Sequence, residues 1–112
     1  MSYRPSRRQT VTIPSGDTDS EVIKLLDGVL MGIITPALLT STSMTVKVCD
    51  TPAGTFLDLV DSEGNTPTLT VTTSTAYGLV GTEIDAVAPW PYAKLVGGSS
   101  EAADRDIVVC SK

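Results

Sequence analysis

The sequence predicts an all-β fold: an antiparallel β-sandwich, jelly-roll-like, of about eight to nine short strands. Three observations predict it. Threonine is the most frequent residue and valine is plentiful, and both are β-branched side chains that favour strands. Ser43–Cys49 alternates cleanly, with Met44, Val46 and Val48 on one face and Thr45 and Lys47 on the other, the period of a half-buried strand. Turn residues then punctuate short apolar stretches along the whole chain. At 112 residues the chain makes one domain, able to bury roughly two-thirds of its unfolded surface.

Residues 1–8 are polar, basic and interrupted by Pro5, which reads as a flexible arm ahead of a single domain spanning 9–112. The arm is either a frayed end or a segment that lies along an acidic neighbour. Residues 9–13 form the first predicted strand, with Val11 and Ile13 inward. A loop at 14–20 leads to a second strand at 21–26, closed by Asp27-Gly28. Residues 29–35 are almost continuously apolar, as in a central strand covered on both faces. Residues 36–42 leave the sheet as a crossing loop with a helical turn.

Residues 43–73 read as three consecutive antiparallel strands, 43–49, 55–60 and 68–73. Asp50-Thr-Pro-Ala-Gly54 and Asp61-Ser-Glu-Gly-Asn65 supply the turns, and Leu69 and Val71 point inward. A short strand at 76–80 follows, then a longer connection at 81–91 with a turn of helix at 82–86. Strands at 92–96 and 105–110 flank a polar loop at 97–104. The long connections at 36–42 and 81–91 suit crossings between two sheets, hence the jelly roll.

The net charge is −5. Arg4, Arg7 and Arg8 hold three of the eight basic residues, so the body from Gln9 onward carries about −8, that is −5 less 3. Such a body repels a phosphate backbone, which argues against nucleic acid as a partner of the folded part. No 18-residue apolar run is present to span a membrane, and the first 20 residues lack the apolar core of a signal peptide. Cys49 and Cys110 lie at the ends of predicted strands, and two free thiols are the simpler reading beside a disulfide. With no histidine and no further cysteine, a structural zinc site lacks ligands. The expectation is a chain without metal or cofactor.

Asp17, Asp19 and Glu21 begin like a calcium loop, but the sixth and twelfth positions are Val22 and Gly28 where an EF-hand needs Gly and Glu. A solvated acidic turn accounts for them. Asp58, Asp61 and Glu63 resemble a glycosidase carboxylate pair, yet nothing apolar is placed to raise one pKa and not the other. No nucleophile has a histidine base beside it. Pro89-Trp90-Pro91-Tyr92 is the most distinctive cluster. Trp90 and Tyr92 either contact a partner or a glycan, or Trp90 caps the open end of the core; the cap is the simpler reading in a domain this poor in aromatics.

The order of motifs resembles small β-sandwich virion proteins of tailed bacteriophages. The stretches that carry it are Val11-Thr-Ile-Pro-Ser-Gly16, Leu30-Met-Gly-Ile-Ile-Thr-Pro-Ala37, Met44-Thr-Val-Lys-Val48, Gly54-Thr-Phe-Leu-Asp-Leu-Val-Asp61 and Ala102-Ala-Asp-Arg-Asp-Ile-Val-Val109. The chain departs from the pattern in a shorter loop before Arg105 and in both cysteines. The resemblance implies a non-enzymatic structural protein that decorates or cements the outer surface of the head, or serves the neck, tail or baseplate. It implies the major capsid protein and further copies of the chain as partners, a trimer first, since shells place such proteins on symmetry axes. Arg4, Arg7 and Arg8 are the expected docking residues, and the edges of strands 29–35 and 105–110 the expected places for a neighbour to pair.

Overall fold

The computed structural model describes residues 7–26, 28–79, 87 and 89–112. Nine strands follow in chain order: β1 (Arg7–Ile13), β2 (Ile23–Lys24), β3 (Leu30–Ile34), β4 (Ser43–Cys49), β5 (Leu57–Asp58), β6 (Leu69–Thr70), β7 (Ala76–Gly78), β8 (Tyr92–Gly97) and β9 (Arg105–Ser111). Every pair is antiparallel. One sheet has the order β1-β9-β3-β7 and the other β2-β8-β4-β5, with β6 also against β4. The pairing is nested: first strand with last, β2 with β8, β3 with β7, and β4 with its successors. That is the strand order of a jelly roll.

The core lies between the sheets and is filled by the alternate positions that the pattern marks. Val11, Ile13, Ile107 and Val109 face in from one sheet, and Met44, Val46 and Leu95 from the other. Period-two alternation puts each set on a single face.

Four local expectations are corrected. First, residues 55–73 are not two strands joined by a hairpin. β5 pairs with the second half of β4 (Lys47↔Asp58, Val48↔Leu57) and β6 with its first half (Ser43↔Thr70, Met44↔Leu69). The amides of Leu59 and Val71 continue the same ladder to Val46 and Thr42. β5 and β6 are therefore one edge strand, interrupted by an excursion at residues 60–68 that leaves and rejoins β4 without reversing direction. Asp61 holds the excursion: its Oδ1 accepts from the amides of Glu63 and Asn65, both at 2.9 Å, and Gly64 supplies the positive φ of +84°.

Second, β3 and β9 are inner strands, so neither offers an edge to a neighbour. β3 is also covered on one face only. A register shift between Leu30 and Gly32 makes a bulge at Met31, which lets Leu30 and Ile33 both point into the core while Ile34 stays 38% exposed. Third, residues 36–42 cross between the sheets without a helical turn; the amides of Thr40 and Ser41 are taken by the Glu101 carboxylate. Fourth, Arg7 and Arg8 belong to β1 and not to an arm, being paired with Ser111 and Cys110. Residues 1–6, and with them Arg4, lie outside the described residues, as does the helical turn expected at 82–86.

At one flank the sheets are sealed to each other by side chains. The Gln9 amide bonds both backbone groups of Lys24, donating to the carbonyl at 2.6 Å and accepting from the amide at 3.0 Å. Glu21 does the same for Thr12, accepting from its amide at 2.9 Å and donating its own amide to its carbonyl at 3.0 Å. The backbone of β1 and β2 is thereby occupied where the two edges meet. The opposite flank ends in β5 and β7.

Candidate functional site

The two ends of the sandwich differ in kind. At one end gather the connections 14–22, 35–42 and 98–104, and Glu101 ties them together. Its Oε1 accepts from the Thr40 amide at 2.8 Å and from Arg105 Nε at 3.1 Å. Its Oε2 accepts from the Ser41 amide at 3.0 Å and from the Ser41 hydroxyl at 2.7 Å. The Glu101 backbone bonds the third loop, through the amide of Gly16 and the carbonyl of Asp17. The side chain is fully buried. Burial alone raises a carboxyl pKa, but here the Ser41 hydroxyl, the Thr40 and Ser41 amides and Arg105 outweigh it and hold the group at about 2, against an ordinary 4.5. This end is a locked polar clamp, in which the Thr40 and Ser41 amides, the Ser41 hydroxyl and Arg105 Nε all converge on one carboxylate.

The other end holds the corner between β4 and β5, the approach to β8, the close of β2, the start of β1 and the end of β9. Here a groove of about 360 Å³ opens. Its apolar lining is Val48, Leu57, Leu59, Val60 and Trp90, and among the described residues its charged ones are Asp50 and Asp58. Leu57 is 67% exposed, Val60 50% and Trp90 38%, so a group of apolar side chains faces water along one strand edge. Scattered apolar residues are ordinary on a surface, but several beside one groove make it the candidate binding site of the described residues.

The candidate residues fall differently from one another. Trp90 lines the groove together with the core residues Val48 and Leu59 and stays 38% exposed. Tyr92 does not line the groove: it sits on β8 at a position alternate to the inward Ala93 and Leu95, on the outer face. Arg7 and Arg8 open β1 at this same end and are exposed.

The acidic residues singled out in sequence disperse. Asp19 pairs with Lys47 at 3.2 Å, Glu21 serves Thr12, and Asp17 gives only its backbone to Glu101. Asp58 is on the edge strand while Asp61 is consumed within its own loop. Among the described residues no three His, Cys, Asp or Glu side chains cluster as metal ligands do. Cys49 and Cys110 are both free, in opposite sheets. Compared with protein-family models, with curated proteins and with solved structures, the chain matches none.

Proposed function

We propose that this chain is a structural protein of a tailed-phage virion, without enzymatic activity, that decorates or cements the capsid shell from outside. The observation that carries the reading is the nested strand order, an architecture that viral capsid domains share with lectins and cupins. Fold alone does not dictate function, so the ordered motifs between Val11 and Val109 and the division of labour between the two ends count beside it. A locked end and an open, partly apolar end suit a protein held to a larger surface by one side. The major capsid protein is the partner, with copies of the chain grouped on symmetry axes, a trimer first. Arg4, Arg7 and Arg8 dock by charge against an acidic shell surface.

The test is stoichiometry, by quantitative mass spectrometry of purified virions. About one copy per capsid subunit, or about one-third, supports a shell coat on a symmetric lattice. A few copies per particle move the protein to the neck, tail or baseplate as an adaptor, and absence from virions overturns the reading. Replacing Arg4, Arg7 and Arg8 with Ala is expected to weaken attachment and its salt dependence while leaving the fold intact; unchanged attachment assigns docking to other surfaces.

A second reading, a carbohydrate-binding module, is favoured by the exposed Trp90 with Asp50 and Asp58 on the same groove. Trp90 is the one tryptophan, so its fluorescence titrated with oligosaccharides decides, a flat response across the panel removing the idea.

A further inference from the structure

We propose that the outer edge of β5, with the groove beside it, binds an extended basic segment of a partner protein as an added strand. This holds whether or not the chain belongs to a virion, since it rests on the edge and the groove alone.

The backbone comes first. β5 is the last strand of its sheet, and the bond from the Leu59 amide to the Val46 carbonyl turns residues 57 and 59 toward β4. In an antiparallel ladder the residue between them presents its amide and carbonyl to the other side. That residue is Asp58, and among the described residues no strand takes those groups. On the flank that carries β1 and β2, the outward backbone groups of Thr12 and Lys24 are taken by Glu21 and Gln9, whereas those of Asp58 have no such partner among the described residues. Next come the side chains. An added strand sends alternate residues to one face, and on the inner face of β5 the groove offers Leu57, Leu59 and Trp90 to receive them. Backbone bonds supply affinity in such a contact and the pocket supplies selectivity.

Charge then chooses the occupant. Among the described residues, Asp50 and Asp58 are the carboxylates that line the groove and no lysine or arginine lines it. Lys47, opposite Asp58 on β4, is engaged by Asp19, and the Lys94 ammonium lies over the Phe56 ring, 4.8 Å from its centre. A second copy joined β5 to β5 would set Asp58 against Asp58, and like charges directly opposite are destabilising. A glycan would meet aliphatic walls with a single indole to stack on. An extended segment alternating apolar residues with lysine or arginine satisfies backbone, groove and charge together.

Trp90, alone of its kind, is the reporter. The probes are a capped heptapeptide alternating Lys and Val, its twin with Glu in place of Lys, and the Lys peptide with alternate amides N-methylated. The Lys peptide is expected to shift Trp90 emission saturably. The double variant Asp50→Lys, Asp58→Lys and the N-methylated peptide are each expected to weaken binding at least about tenfold. No shift with the Lys peptide, equal binding of the Glu twin, or binding that survives N-methylation each overturns the proposal. An emission change that follows protein concentration alone gives the groove to a second copy, and a saturable shift with oligosaccharides gives it to glycans; both also overturn it. Should the double variant fail to fold by circular dichroism, the Glu twin and the N-methylated peptide decide without it.

Discussion

Replacing Glu101 with Gln keeps the size of the side chain and removes the charge around which one end of the sandwich is built. Gln has one carbonyl oxygen, so its amide must face a backbone donor, Thr40 or Ser41, that the carboxylate now accepts. The magnitude follows from the titration. The gap between 4.5 and about 2, at about 1.4 kcal/mol per pH unit, is worth about 3 kcal/mol of folding free energy. The side chain is fully buried, so solvent screening does not reduce the figure much, and it is a large share of the roughly 5–15 kcal/mol that keeps a domain folded. The sign is that of a depressed carboxyl. The contribution is complete above the unfolded pKa of 4.5 and is lost as pH falls toward the folded value of about 2. Urea unfolding at pH 7 and at pH 3 is the assay. At pH 7 E101Q is expected to be destabilised by about 3 kcal/mol, and at pH 3 the gap to wild type should narrow by about 2 kcal/mol, because wild type has by then lost most of the same stabilisation. A gap that is equal at both pH values would refute the reasoning, since the loss would then come from packing and not from the charge.

Three other outcomes are expected. Gly32→Ala places a methyl group 2.8 Å from the carbonyl oxygen of Tyr77 on the neighbouring strand, so β7 must move; a loss of about 1–3 kcal/mol in denaturant midpoint analysis is expected, and an unchanged midpoint would mean that β7 is not held at that distance. Gln9→Ala removes both bonds to the Lys24 backbone and should cost about 1–2 kcal/mol, with faster hydrogen exchange at the Lys24 amide as the local sign. Both cysteines are free, so intact mass after alkylation in denaturant without reductant should show two added groups; a mass unchanged by alkylation would reveal a disulfide.

Much of the fold was legible because strands carry their pattern locally. Ser43–Cys49 was readable to the residue, since its alternation has no interruption. β3 was found as a strand, but its apolar run suggested cover on two faces where a bulge at Met31 had instead changed which residues point inward. In sequence the excursion at 60–68 reads as a hairpin because Asp61, Gly64 and Asn65 are turn residues in either case; whether the chain turns back or rejoins the same partner depends on β4, some twenty residues earlier. Glu101 was missed for a related reason. Its partners Thr40 and Ser41 are about sixty positions away, and the only nearby hint is Arg105 four residues on, in a loop otherwise made of small and polar residues. The groove was half legible. Trp90 stood out by its rarity, while Leu57 and Val60 looked like ordinary strand positions until the edge was known.

The nested strand order also dictates when the protein can fold. β9, the ninth strand in chain order, lies between β1 and β3 and is the partner through which they share a sheet. Until residues 105–111 have left the ribosome, β1 has no neighbour in its sheet and the inward side chains Val11 and Ile13 have no Ile107 or Val109 beside them. Folding of the sandwich therefore awaits release of β9 and then proceeds through pairings distant in sequence, which are slow to form. A nascent chain truncated before Arg105 should remain open to protease, and one extended by a linker long enough to clear the exit tunnel should become resistant in a single step.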